Sequence, residues 1–350
     1  MTTKCDTKEQ AVSGRFRNRR LGPVAGLFIL SPFIGEFVLG NLRITELGLG
    51  LFLAPLYGCG AILVREIGRR SGGGWPTMVL LAAAYALIEE GPVDQLLWND
   101  SYAGDDLLHG PSFIPALGMS IELTQVILAL HTVWSICVPI ILIESFVPDR
   151  RTIPWLGRRG LATTAIVYLI GAIFIFEATY AEERFLASPI QMIATGIVIA
   201  GLIVLAFLIR RVHLPRLEGR APSPVQVGLA ALAGTSLYWG PANLIPDDWY
   251  EWVGVAAWCA VAGPSVILIS RWSRTPGWGA THLYALAVGA TLTYVWVAFP
   301  LRPETGGSQT VDLIGNAVFG AIAVLILVLA GRAVIRTPTP PNSGANRQAT

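Results

Sequence analysis

Long apolar runs alternate with short polar turns along almost the whole chain. Runs of the length that a helix needs to cross a hydrocarbon slab ~30 Å thick, roughly 20 residues, lie at 21–40, 50–70, 75–98, 119–147, 160–180, 189–211, 225–245, 250–270, 278–299 and 311–334. In lipid every backbone N–H and C=O must be satisfied internally, and a helix does this within one segment. The predicted fold class is therefore all-α: a polytopic transmembrane helix bundle of about ten membrane helices. Pro32, Pro55, Pro139, Pro241 and Pro264 fall within or near these runs. Such breaks are tolerated where neighbouring helices satisfy the freed backbone groups.

The charged residues provide an independent check on the alternation. If the N-terminus faces the cytoplasm, the inner segments hold 22 of the 25 Lys and Arg, and only Arg43, Arg184 and Arg302 fall in outer loops. The outer loops carry Asp100, Asp105, Asp106, Glu182, Glu183, Asp247 and Asp248 instead. This is the positive-inside bias of short loops, and it predicts both termini in the cytoplasm and a cell (inner or plasma) membrane location. Trp75, Trp98, Trp155, Trp249, Trp252, Trp272 and Trp278 lie near the predicted interfaces, where an indole can bury its ring and keep its N–H wet. The chain divides into a basic leader (1–20), an N-terminal bundle of helices 1–6 (21–211), a Pro- and Arg-containing linker (212–224), a C-terminal bundle of helices 7–10 (225–334) and a cytoplasmic tail (335–350) expected to be disordered, because it lacks the apolar content to fold. The leader and first run resemble a signal peptide, but no small-residue cleavage site follows, so the run is expected to remain as the first membrane helix.

Composition agrees: 53% of residues are hydrophobic and 14% charged, and a net charge of +2 gives no reason to expect nucleic acid as a partner. The expected partner is the lipid bilayer. Cys5, Cys59, Cys137 and Cys259 show no metal-ligand spacing and no pairing within a loop, so they read as small buried side chains.

Polar groups inside the runs are unevenly distributed. Asp312 and His282 stand near helix ends, where water is expected to reach them, whereas the N-terminal bundle carries Glu36, Glu89, Glu90, Asp94, Glu122, His131 and Glu144. A carboxylate at the bilayer centre costs roughly 2.5–3.5 kcal/mol on insertion scales, so these groups should face one another rather than lipid. Counting from the predicted inner ends at 1.5 Å per residue, Glu36, Glu90 and His131 all lie ~22–24 Å above the inner interface. On an α-helix Glu90 and Asp94 share a face, Glu89 points about 100° away, and His131 shares a face with Ser135. Such a set can activate water, relay protons or hold a divalent metal. No cofactor is firmly implied. Arg65, Glu66 and Arg69 read as a snorkelling group at the inner interface, with Glu144 likewise, and Asp105 with His109 as a solvated loop pair.

The stretches AYALIEEGPVDQLLW (84–98) and LHTVWSICVPIILIE (130–144) place a Glu-Glu pair on one membrane helix and H-x-x-x-S on the next. This resembles the CAAX-protease and bacteriocin-processing family of intramembrane endopeptidases. The resemblance implies catalytic roles for Glu89, Glu90 and His131, support from Ser135, and a membrane-associated peptide substrate. Asp94 stands where that family has Arg, Ile127 where it has Phe, and a second intramembrane histidine is missing. The chain as a whole also resembles uncharacterised bacterial multi-pass membrane proteins. Three functions follow as expectations: a hydrolase using Glu90 as general base and His131 at the oxyanion; a proton-coupled or small-solute transporter; and a non-catalytic scaffold whose polar cluster, including Glu36 and Asp94, fixes helix packing.

Overall fold

The computed structural model describes residues 21–336 apart from 213, 246, 304 and 305. The leader 1–20 with Cys5, and the tail beyond 336, lie outside the described residues. The chain forms α1 (Leu21–Phe37), α2 (Leu47–Ser71), α3 (Gly74–Ile88), α4 (Ile121–Phe146), α5 (Arg158–Glu183) and α6 (Pro189–Ile209). It continues with α7 (Pro224–Leu244), α8 (Asp248–Trp272), α9 (Ala280–Val297) and α10 (Gln309–Ile335). A two-stranded antiparallel hairpin, β1 (Phe113–Ile114) and β2 (Met119–Ser120), leads into α4. The chain is a membrane helix bundle: among the described residues seven helices, namely α2, α4, α5, α6, α8, α9 and α10, are long and apolar enough to cross a bilayer.

Burial separates a central helix from peripheral ones. Of the most apolar stretch of α4, 72% is buried within the protein, against 11% for α5 and α6 and 6% for α8. The outer faces of those three present Ile170, Ile173, Ile190, Ile197, Val266 and Ile267 to the surroundings. Apolar patches of that extent need lipid rather than water against them. The largest apolar cluster draws on both halves of the chain: Leu30, Ile34, Trp134 and Leu142 pack with Trp239, Tyr294 and Ala323. Close helix approach rests on small residues. At Gly58 of α2 an added Cβ would overlap the Phe28 carbonyl of α1, and at Gly171 of α5 it would meet Pro55 of α2 at 2.7 Å. Membrane helices pack tightly by such small-residue contacts, since lipid supplies little hydrophobic drive between them.

Hydrogen bonds tie the turns into two sets. The arginine-rich turns meet at one end: Arg65 Nη2 donates to the Arg151 carbonyl, Arg210 Nη1 to the Ser71 carbonyl, and Leu217 N–H to the Arg274 carbonyl. The acidic turns meet at the other: Asn99 donates to Glu183, Ser112 N–H to Glu251, and Trp252 Nε1–H to the Pro111 carbonyl.

Several sequence expectations are corrected here. Arg65 does not snorkel; with Glu66 it is completely buried. Its Nε donates to Glu144 at 3.0 Å, Nη1 to Glu66 at 2.8 Å, and Nη2 to the carbonyls of Arg151 and Ile153, while the guanidinium stacks 3.3 Å over the Trp155 ring. Arg69 closes the network on Glu144. A five-donor fork can be buried where enough acceptors surround it, and the 150–155 turn folds back over α2 to supply them. Trp155 and Trp98 are therefore interior residues rather than interfacial anchors. His282 and Asp312 are also buried; His282 accepts from Gly279 N–H and bonds the Pro222 carbonyl, pinning the 212–224 linker to the start of α9. Cys59 and Cys137 are buried, Cys259 is exposed on α8, and all three are free thiols. His109 bonds Asp106 rather than Asp105, on the exposed surface.

Candidate functional site

Three helices leave α-geometry, each at a residue of the polar cluster. Phe33–Phe37, Glu89–Val93 and Leu130–Cys137 are π-helical and carry Glu36, Glu89 with Glu90, and His131 with Ser135. The π-turn is rare and concentrates at functional sites. Here proline accounts for much of it, because proline lacks the N–H that closes an α-turn. Pro92 cannot donate to the Ile88 carbonyl, and the chain instead makes the wider bond from Asp94 N–H to the Glu89 carbonyl at 2.6 Å. Pro139 cannot donate to the Ser135 carbonyl; the Ser31 hydroxyl of α1 does so, at 2.5 Å.

The wide turn at Glu89 changes which side chains converge. An α-helix would set Glu89 and Glu90 on different faces, yet both carboxylates reach His131. Its Nε2 lies 2.5 Å from Glu90 Oε1, and its Nδ1 lies 3.0 Å from Glu89 Oε2 and 3.2 Å from Ser135 Oγ. All four side chains are buried. Glu36 joins through Tyr57, whose hydroxyl donates to Glu36 Oε1 at 2.6 Å, faces Glu89 as well, and whose ring packs edge-on against His131. Asn41 donates to the other Glu36 oxygen at 3.2 Å. Tyr85 also places its hydroxyl toward Glu89. Two glycines let the cluster close. A Cβ on Gly35 would sit 2.8 Å from Ser135 Oγ, and one on Gly60 would run into the Tyr85 ring.

Glu36, Glu89, Glu90, His131 and Ser135 are thus brought together. Asp94 stands apart: it accepts from Tyr102 at 3.2 Å and Thr179 at 3.0 Å, facing α5 and the outer loop. Tyr57, Tyr85 and Ser31 are the members that the sequence reading missed. A tyrosine hydroxyl in an apolar run usually finds a partner when buried, and for Tyr57 that signal was present in the sequence. Both ring nitrogens of His131 are engaged, and among the described residues no group of three or more His, Cys, Asp or Glu is arranged to hold a metal ion.

Residues 27–346 match the model of a family described as an uncharacterized membrane protein family. The chain belongs to that family. No curated protein matches it. No solved structure matches it either. Nothing in these comparisons carries the resemblance to the intramembrane endopeptidases, which rests on four residues in two short stretches. For this family member, function must be argued from the buried cluster.

Proposed function

We propose that the Glu89–His131–Glu90 bridge is the proton-binding centre of a proton-coupled membrane carrier for a small solute. The observation that carries this reading is one buried imidazole set between two buried carboxylates, hydrogen-bonded to Glu90 through Nε2 and within ion-pair distance of Glu89 at Nδ1. A neutral imidazole has a single N–H and can donate to only one of them. Either the ring carries a second proton or one carboxyl does, so at least one exchangeable proton belongs to the group. Ionisable clusters of this kind inside a membrane bundle mark proton pathways. The π-turns at Glu36, Glu89 and His131 supply an element with two arrangements, because a π-turn and an α-turn differ in which side chains face the partner helix.

The carrier crosses a cell membrane ten times with both ends in the cytoplasm. In support, α3 and α7, which fall short of the length or hydropathy of the seven, join the same two sets of turns, and the arginine-rich turns share one end. Introduced single cysteines at 71 and 248 should label from opposite sides of sealed vesicles, and labelling from one side would remove this topology.

The functional test uses proteoliposomes with an internal pH dye and a potassium diffusion potential. Across a panel of small solutes, wild type should move protons with at least one, and Glu90→Gln and His131→Ala should insert normally and move none. No flux with any solute, or equal flux in Glu90→Gln, would end the carrier reading.

One observation favours a second reading. Ser135 Oγ, His131 and Glu90 form a hydroxyl–imidazole–carboxylate line, the arrangement of a nucleophilic hydrolase, with a membrane-associated peptide as substrate. Against it, Ser135 is completely buried with Gly35 seated on its oxygen. Peptide cleavage by the wild type that Ser135→Ala abolishes, in a protein that moves no protons with any solute, would select the hydrolase.

A further inference from the structure

The apolar cluster beside the centre holds polar atoms that its packing does not satisfy. Tyr238 Oη and Trp239 Nε1 on α7 and Tyr294 Oη on α9 are buried without a hydrogen-bond partner. Tyr294 and Tyr238 are 0% and 5% exposed. A buried hydroxyl left unpaired costs ~1–3 kcal/mol, and native proteins rarely keep several together without a use or a bound water. The neighbouring Trp134 is treated differently: its Nε1–H donates to the Ala290 carbonyl at 2.8 Å.

These atoms are arranged in order between two carboxylates. The Tyr294 ring stacks flat on Trp134 at 4.4 Å, one residue before Ser135, and packs 5.5 Å from Trp239, which is 5.9 Å from Tyr238. Tyr294 lies within electrostatic range of Glu36 on α1 and of Tyr238. Tyr238 lies within electrostatic range of Glu122 on the first turn of α4 and of Tyr250 on α8. Glu122 in turn faces Glu251, which accepts Ser112 N–H in the acidic loop. The sequence Glu36, Tyr294, Tyr238, Glu122 thus leads from the buried cluster to the acidic-loop end. Hydroxyls donate and accept at once, and a water needs two to four polar partners to settle in a buried site. This file offers them in an otherwise apolar wall.

We propose that Tyr294 and Tyr238, with the Trp239 indole N–H, form the water-bearing route by which protons pass between Glu122 at the acidic-loop end and Glu36 at the buried centre. This rests on the proton-carrier reading above and adds to it the side and the path of proton entry. In transit each hydroxyl accepts a proton from the water on the Glu122 side and releases one toward Glu36, so no charge stays on either tyrosine. Tyr57 completes the path, since its hydroxyl bridges Glu36 to Glu89.

The test reads arrival at the centre directly. Full-length protein in liposomes is given a rapid external pH drop, and the protonated-carboxyl infrared band that Glu90→Gln deletes is followed in time. In the double variant Tyr238→Phe, Tyr294→Phe the band should rise at least about tenfold more slowly, equivalent to ~1.4 kcal/mol on the barrier, and reach the wild-type amplitude. Melting of the variant should be unchanged or higher, because the lost hydroxyls bond no protein atom and an unpaired buried hydroxyl is itself costly. An unchanged rate overturns the route and leaves the centre standing. Absence of any titrating carboxyl band in wild type overturns the carrier reading and the route together.

Discussion

Substituting Arg65 by methionine separates two accounts of the arginine-rich end. A snorkelling arginine in an exposed pair contributes ~0–1 kcal/mol. The structure instead has Arg65 completely buried, donating to Glu144, to Glu66 and to three backbone carbonyls, and stacked on Trp155. Removing one partner of a buried ion pair costs ~3–5 kcal/mol, since the remaining charges and carbonyls lose their compensation. Arg69 still reaches Glu144, and Glu66 still accepts from Arg70 and the Trp155 N–H, which offsets part of the loss. We therefore expect Arg65→Met to cost ~3–4 kcal/mol, about two to three orders of magnitude in the unfolding equilibrium. Equilibrium unfolding in mixed detergent–SDS micelles, followed by tryptophan fluorescence, measures it. The double variant with Glu144→Leu should cost less than the sum of the singles. A loss under ~1 kcal/mol would refute the buried-network account. The result bears on function as well, because the network clamps α2 and α4, the helices that carry Tyr57 and His131.

Other expectations test how the cluster is built. Gly58→Ala forces a methyl against the Phe28 carbonyl, where the backbone cannot yield, and should lower stability by ~1–3 kcal/mol; Gly201→Ala, which meets nothing within 4 Å, is the control. Pro92→Ala restores the N–H that an α-turn needs and should raise thermal stability while abolishing proton movement, since Glu89 would turn away from His131; retained proton movement would count against the π-turn argument. Ser31→Ala leaves the buried Ser135 carbonyl without its hydroxyl donor and should cost ~1–3 kcal/mol in the same unfolding assay.

The class of the protein was legible in the pattern of the chain because lipid imposes a long, uniform length of apolar helix and water imposes charged turns. The convergence of Glu36, Glu90 and His131 was legible for a related reason: buried charges avoid lipid, and counting helical rise places them at one level. The same straight-helix geometry misplaced Glu89, because it assumed 3.6 residues per turn where Pro92 had removed an N–H, and it could not show that Tyr102 and Thr179 hold Asp94. The snorkelling of Arg65 was a sound default for an arginine near an interface, but whether a guanidinium is buried depends on acceptors delivered by residues 144–155, more than seventy positions away.

What the sequence determined by itself was membrane residence, the segregation of arginine-rich from acidic turns, and the presence of ionisable groups that must be hidden together. Those properties follow from one-dimensional quantities, namely run length, loop charge and depth along a helix. Only the tertiary structure decided that both carboxylates meet one imidazole, that Tyr57 links them to Glu36, and that unpartnered hydroxyls lead outward through Tyr294 and Tyr238. Those facts depend on where a proline widens a turn and where a glycine lets a neighbouring helix approach, and each is set by contacts between segments that the order of residues does not place side by side.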